Sequence, residues 1–333
     1  MTFIDLTKNQ HYLSQIEQRL NSSRASRDKI YSFTLQNRED CTVTLDKEKG
    51  TGIHSNLSFC DLYTFQFLEK GGRKNFERAF GRYEEKIEAS TFGLLEKIKA
   101  KDNDILNELF DVLRLKFLNF IRNPFNIRKV LNTFGALADC YPLSEELLKE
   151  YRLLENRDDG GLERICQHFD VSKDEYLRWM RVIFLSLIDI NDDETMLDNL
   201  IKAFIENKEY ATAVFIYGVS NMDADKKVLL SDRSYVDYNY AADGNLMVAF
   251  NLNSNYFIKF GLIKARTLME KIAKPGMDKE QLVSTYLSQP KKLPVYLTED
   301  NEQALTALAD YNMNAVYQCH RKVFCSVPTV YKR

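Results

Sequence analysis

Proline and glycine are scarce in this chain, at 6 and 13 residues in 333, which excludes long flexible or proline-rich linkers. Histidine occurs only four times, at His11, His54, His168 and His320. No two of these share a spacing suited to one metal ion, so a histidine-rich metal centre is not expected. No apolar run approaches the roughly 20 residues that cross a bilayer. The opening MTFIDLTKNQHYLSQ lacks the basic head and apolar stretch of a secretory signal. A cytoplasmic protein without a membrane span is therefore expected. The six cysteines, Cys41, Cys60, Cys140, Cys166, Cys319 and Cys325, include no CxxC pair and read as buried free thiols. An excess of one charge is missing too. With 46 Lys and Arg against 48 Asp and Glu, the net charge is -2, too small a global field to draw in nucleic acid or an anionic membrane. The GxGxxG, GxxxxGK[ST], GxSxG and HExxH signatures are all absent. Motifs thus leave the cofactor, the reaction and the oligomeric state open.

What is present is ordinary globular composition, 44% hydrophobic and 28% charged, with 21 Phe and 18 Tyr to fill a core. Period-two alternation predicts strands at about 30–35, 41–45 and 62–67. From about residue 73 the period becomes helical, with Phe76, Phe80, Tyr83, Ile87, Leu94 and Ile98 recurring among charges. More helices are expected at 104–120, 126–138, 144–156, 172–189 and 194–206. Arg122-Asn123-Pro124 interrupts the series, as do the loop Asp158-Asp159-Gly160-Gly161 and the cap Asn191-Asp192-Asp193. Short β-branched and aromatic runs return at 213–217, 228–230, 247–250 and 256–260. Helices at 264–273, 278–288 and 299–318 and a strand at 323–325 complete the chain. This order predicts an α+β fold of short, mostly antiparallel strands from both ends around a large central helical block. Its parts are a β-rich 1–72, a helical block 73–208 and an α+β part 209–333, forming one compact unit in which the two strand regions can share a sheet.

A few polar residues are candidates for chemistry. Glu84, Glu85 and Glu88 read as a solvated helix face, and Asp192-Asp193-Glu194 as an acidic helix start. Asp232 ends an apolar strand, where it can serve a site or bond its own turn. Arg122 and Arg128 flank the helix break and offer planar donors for carboxylate or phosphate, or for carbonyls freed by the break. The basic, aromatic C-terminus, with His320, Arg321, Lys322, Tyr331, Lys332 and Arg333, reads as a solvated tail.

Several of these positions together resemble the bacterial domain-of-unknown-function family DUF4238. The resemblance rests on Gln10-His11-Tyr12, Asp61-Leu62-Tyr63-Thr64-Phe65, Ile87-Glu88, Arg122-Asn123-Pro124, Ser231-Asp232, Asn312 and Val323-Phe324. Near Ser14, and at Ser234, the family usually carries proline instead. The resemblance names no reaction. The expectation is that His11, Arg122, Asp232 and Asn312 converge in one cleft between sheet and helical block, with Asn123 beside Arg122. His11 and Asp232 would be the acid–base pair, and Arg122, Asn123 and Asn312 would hold a phosphorylated or nucleotide-type ligand. The alternatives are a hydrolase or nuclease-like effector using that cleft, and a non-catalytic module binding a protein partner.

Overall fold

A computed structural model of the chain describes residues 3–23, 25–102, 104–157, 160–191, 194–220, 224–238, 245–274, 276–291 and 293–332. The loop at Asp158-Asp159, the acidic start at Asp192-Asp193 and the terminal Arg333 lie outside them. Among the described residues the fold is α+β, with 11 α-helices and small, mostly antiparallel sheets. None of these helices is long and apolar enough to cross a membrane.

The chain divides into two compact units, Met1–Arg19 with Gly52–Leu200, and Leu20–Thr51 with Ile201–Arg333. The division thus differs from three consecutive parts. The cause is strand pairing. Lys29–Asn37 pairs antiparallel with Lys322–Cys325 on one side and with Thr42–Leu45 on the other. The two strand regions do share a sheet.

The first unit is mainly helical. Apolar residues of Glu77–Lys99, Leu106–Arg122 and Lys173–Ser186 meet in an aromatic core of Tyr63, Phe76, Phe80, Trp179 and Phe184. Leu106–Arg122 stops where Asn123 turns extended ahead of Pro124, and the Asn123 side chain accepts from the Phe125 amide. Lys173–Ser186 starts with a Ser172–Glu175 capping box. Two short helices, Gln15–Leu20 and Gly160–Phe169, were not expected from the sequence. Of the strand expected at 62–67, only Gln66–Phe67 forms, pairing with Arg73–Lys74. The rest is a turn closed by Thr64 N–H to the Asp61 carbonyl, with Asp61 at φ 56°. Leu62, Tyr63, Thr64 and Phe65 are all buried, so the apolar–polar alternation does not separate an inner from an outer face.

Among its described residues the second unit holds two five-stranded sheets. One runs in the order Val236–Asp237, Leu246–Asn251, Tyr256–Lys264, Tyr210–Gly218 and Val295–Glu299, the last pair parallel. The other runs Leu230–Ser231, Lys322–Cys325, Lys29–Asn37 and Thr42–Leu45, with Thr51–Gly52 also on Lys29–Asn37. Helix Glu302–Gln318, capped by Asn301, buries Leu308, Tyr311, Ala315 and Val316 against Phe33, Phe257 and Val323. The Val295–Glu299 strand occupies the run-up to this helix and was not foreseen. All six cysteines are free; Cys41, Cys319 and Cys325 are buried and Cys140 is exposed. Burial pushes the Cys319 and Cys325 thiols up to about 12 and about 11, so neither supplies a thiolate at neutral pH.

Candidate functional site around Arg122

The helix Leu106–Arg122 carries polar residues where a core helix would be apolar. Lys116, Asn119 and Arg122 follow one another at steps of three and are fully buried. Three-residue spacing places them along one side of the helix. The opposing helix Glu77–Lys99 presents Glu77, Phe80 and Glu84 at matching steps of three and four. Arg122 meets that stripe. Its Nη1 is 2.6 Å from Glu84 Oε1, its guanidinium carbon lies 4.7 Å above the Phe80 ring, and its Nε donates to Asn119 Oδ1 at 3.1 Å. Its Nη2 is buried and has no hydrogen-bond partner among the described residues. Arg122 therefore does not serve the carbonyls freed by the helix break.

The opening segment closes the network from another side. Gln10 is buried; it accepts from the Tyr63 amide and donates to the Thr7 carbonyl at 3.1 Å and to Thr64 Oγ1 at 3.0 Å. The Tyr63 hydroxyl donates to the Arg122 carbonyl at 2.7 Å. Tyr12 packs edge-on against Phe125, with ring centroids 5.5 Å apart. The segments around Gln10-His11-Tyr12, Tyr63-Thr64 and Arg122-Asn123-Pro124 are thereby joined. Beneath them Lys116 forms an ion pair with Glu17, whose other carboxylate oxygen accepts from Asn119.

His11 stands at the edge of this network, 9% exposed. Its Nε2 lies 3.1 Å from the His54 carbonyl. A carbonyl can only accept, so Nε2 carries the proton and Nδ1 holds the lone pair of the neutral ring. Burial lowers the pKa of His11; Glu84 pulls it up and Arg122 pushes it down. Glu77 shifts the other way. Burial raises its carboxyl to about 8, against the pull of Arg122, so it is protonated at neutral pH. The network thus balances Arg122 against Glu84 and Lys116 against Glu17, with His11 and Glu77 both neutral.

A Glu77 that is protonated at neutral pH makes folding stability depend on pH. The folded pKa of Glu77 lies above its ordinary 4.5, so the contribution is fully present below that value and is lost as the pH rises through about 8. Between pH 5 and pH 8.5 the wild type is expected to lose on the order of 3 kcal/mol relative to Glu77→Gln. Urea denaturation of both proteins at the two pH values checks it, and parallel behaviour would contradict a protonated Glu77.

The remaining candidates belong to the second unit. Asp232 is buried, and its carboxylate accepts from the backbone amides of His320, Arg321 and Lys322 at 2.8, 2.7 and 2.8 Å. Burial raises its pKa while those three amides lower it. Asn312 is buried as well: it accepts from the Leu229 amide and donates to the carbonyls of Lys227 and Tyr331. These contacts fasten the strand at Leu230–Ser231 and the chain end onto helix Glu302–Gln318. The C-terminus is not simply solvated. Lys322 pairs with Asp46 at 2.6 Å, and Lys332 donates to the Cys41 carbonyl. His11, Arg122 and Asn123 are thus gathered in the first unit, Asp232 and Asn312 in the second. Each group has its own partners there. Beside His11 and Arg122 the carboxylates are Glu77 and Glu84.

Among the described residues no three His, Cys, Asp or Glu side chains are grouped as a metal ion would require. Comparison with protein-family models, with curated proteins and with solved structures found no match.

Glu17, Glu77, Lys116 and Asn119 were not singled out from the sequence, and Glu84, read there with Glu85 and Glu88 as a solvated face, instead pairs with Arg122. Lys116, Asn119 and Arg122 left one signal, polar residues every third position in the otherwise apolar run Leu115–Arg122 that ends the helix. Glu84 left none, because Glu85 and Glu88 beside it look the same.

Proposed function

We propose that the first unit binds a phosphate-bearing ligand of nucleotide type at Arg122 and His11. The observation that carries the reading is the unpartnered Nη2 of a fully buried guanidinium. A buried charged donor left without an acceptor costs about 1–3 kcal/mol or more, and a phosphate oxygen would recover that cost. Planar guanidinium donors suit phosphate, and Nη1 can stay on Glu84 meanwhile. His11 Nδ1 supplies the second contact by taking up a proton as the anion arrives, which offsets one of the anion's negative charges. The approach is past Glu84, whose side chain is 23% exposed.

Calorimetric titration with inorganic phosphate and with adenosine monophosphate tests this. Arg122→Lys keeps the charge but not the fork, and is expected to weaken binding roughly ten- to hundredfold; His11→Asn should remove the proton uptake. Folding of each variant is confirmed by circular dichroism. Absence of binding by the wild type, or equal binding by Arg122→Lys, would refute the reading.

One observation favours a second reading, hydrolysis of a phosphoester. His11 is neutral with a free lone pair and Glu77 is protonated at the same pH, the opposed states that a general base and a general acid need. Turnover of a chromogenic phosphodiester that is lost in both His11→Asn and Glu77→Gln would support it over binding alone.

A further inference from the structure

The sheet of the second unit presents a face on which Ala211, Ala213, Phe215 and Tyr217 alternate along one strand, with Gly261 opposite Ala213 and Ile263 opposite Ala211 on the next. Helix Glu302–Gln318 covers one end of this face, where Tyr311 stacks on Phe257 and Phe257 on Tyr217, with centroids 4.5 and 5.1 Å apart. The other end is left concave. Its floor is Ala211, Ala213 and Gly261, and its walls come from Leu268 and Tyr286 of the helices Ala265–Ile272 and Lys279–Ser288 and from the stacked pair Phe215–Tyr296. The resulting cavity measures about 470 Å³, within the range of small-ligand sites.

Gly261 has ordinary strand backbone, and a Cβ there would meet the Met247 side chain at 3.4 Å. A strand glycine costs stability, and nothing in its conformation requires one; what it provides is room. Two cations, Lys208 and Lys291, line the cavity, and no carboxylate does among the described residues. The Lys291 ammonium is half-buried and donates to the carbonyls of Asn207 and Tyr210. It has no ion-pair partner among the described residues, and burial lowers its pKa. A desolvated ammonium held only by carbonyls gains from a monoanion placed beside it.

We propose that this cavity binds a small amphiphilic anion, an apolar body that rests on Ala211, Ala213 and Gly261 and ends in one carboxylate at Lys291. The lining is apolar where the body lies and cationic at the Lys208–Lys291 side alone. A neutral hydrocarbon would leave Lys291 unpaired, and a highly charged ligand would find no donors along the floor.

Isothermal titration of the full-length protein with octanoate and with 1-octanol separates these terms. The wild type is expected to bind octanoate about tenfold more tightly than octanol. Lys291→Met should erase that preference while still binding both. Ala213→Leu should abolish both, with Gly261→Val as the alternative filling variant should Ala213→Leu fail to fold. Equal affinity of the wild type for the two compounds would overturn the proposal. So would undiminished octanoate binding in a folded filling variant, or adsorption to anionic phospholipid vesicles without octanoate binding.

Discussion

Lys116→Met is expected to lower the unfolding free energy by about 3–5 kcal/mol. Both partners of the Lys116–Glu17 pair are fully buried, so removing the ammonium leaves the Glu17 carboxylate desolvated beside an amide from Asn119 and without its cation. The effect belongs to the orphaned charge and not to the pair as such. Replacing a buried pair by apolar residues of similar size is often neutral or stabilising. The double variant Glu17→Leu with Lys116→Met should therefore recover most of the loss. Urea denaturation of wild type, both single variants and the double variant measures the coupling directly. A double variant as unstable as the sum of the two singles would show that the pair is not coupled through its charge.

Asp232→Ala carries the second large effect, about 3 kcal/mol or more. Three backbone amide donors, those of His320, Arg321 and Lys322, converge on the one buried carboxylate at 2.7–2.8 Å, and a donor left unmet where water does not reach it costs about 1–3 kcal/mol. The loss should be local at first. The segment that lies antiparallel to Lys29–Asn37, residues Lys322–Cys325, is the one the carboxylate anchors, so amide exchange should rise there before the rest of the second unit. Asp232→Asn keeps an acceptor oxygen but turns an NH2 group towards donors, and should fall between the two. Wild-type stability in Asp232→Ala would contradict this anchoring role.

Much of the architecture was legible because it is written in local pattern. The helical period in the first unit and the Asn123-Pro124 break gave Leu106–Arg122 within two residues at either end. Alternation gave the strands Lys29–Asn37 and Thr42–Leu45, and a short apolar run gave Lys322–Cys325, which pairs with the first of them. What stayed hidden depends on which faces meet. Leu62–Phe65 alternates in sequence yet is buried on every side, and Val295–Glu299 is a strand because Tyr210–Gly218 offers it a parallel edge. The site divides the same way. Gln10-His11-Tyr12 and Arg122-Asn123-Pro124 stand out as short polar motifs, and the Tyr63 hydroxyl joins them. Glu77 and Glu84 differ from their acidic neighbours only in facing Arg122, a fact of helix packing that no residue type announces.

Phosphate binding at Arg122 and His11 requires the buried guanidinium and imidazole to receive one anion together. The most direct measurement is the titration of His11 by 15N chemical shifts, with and without saturating inorganic phosphate. The free protein should show a pKa below the ordinary 6.5 with Nε2 protonated, and phosphate should raise that pKa by about one unit or more. An unchanged His11 titration, in a protein whose Arg122 and Glu84 remain paired, would contradict it.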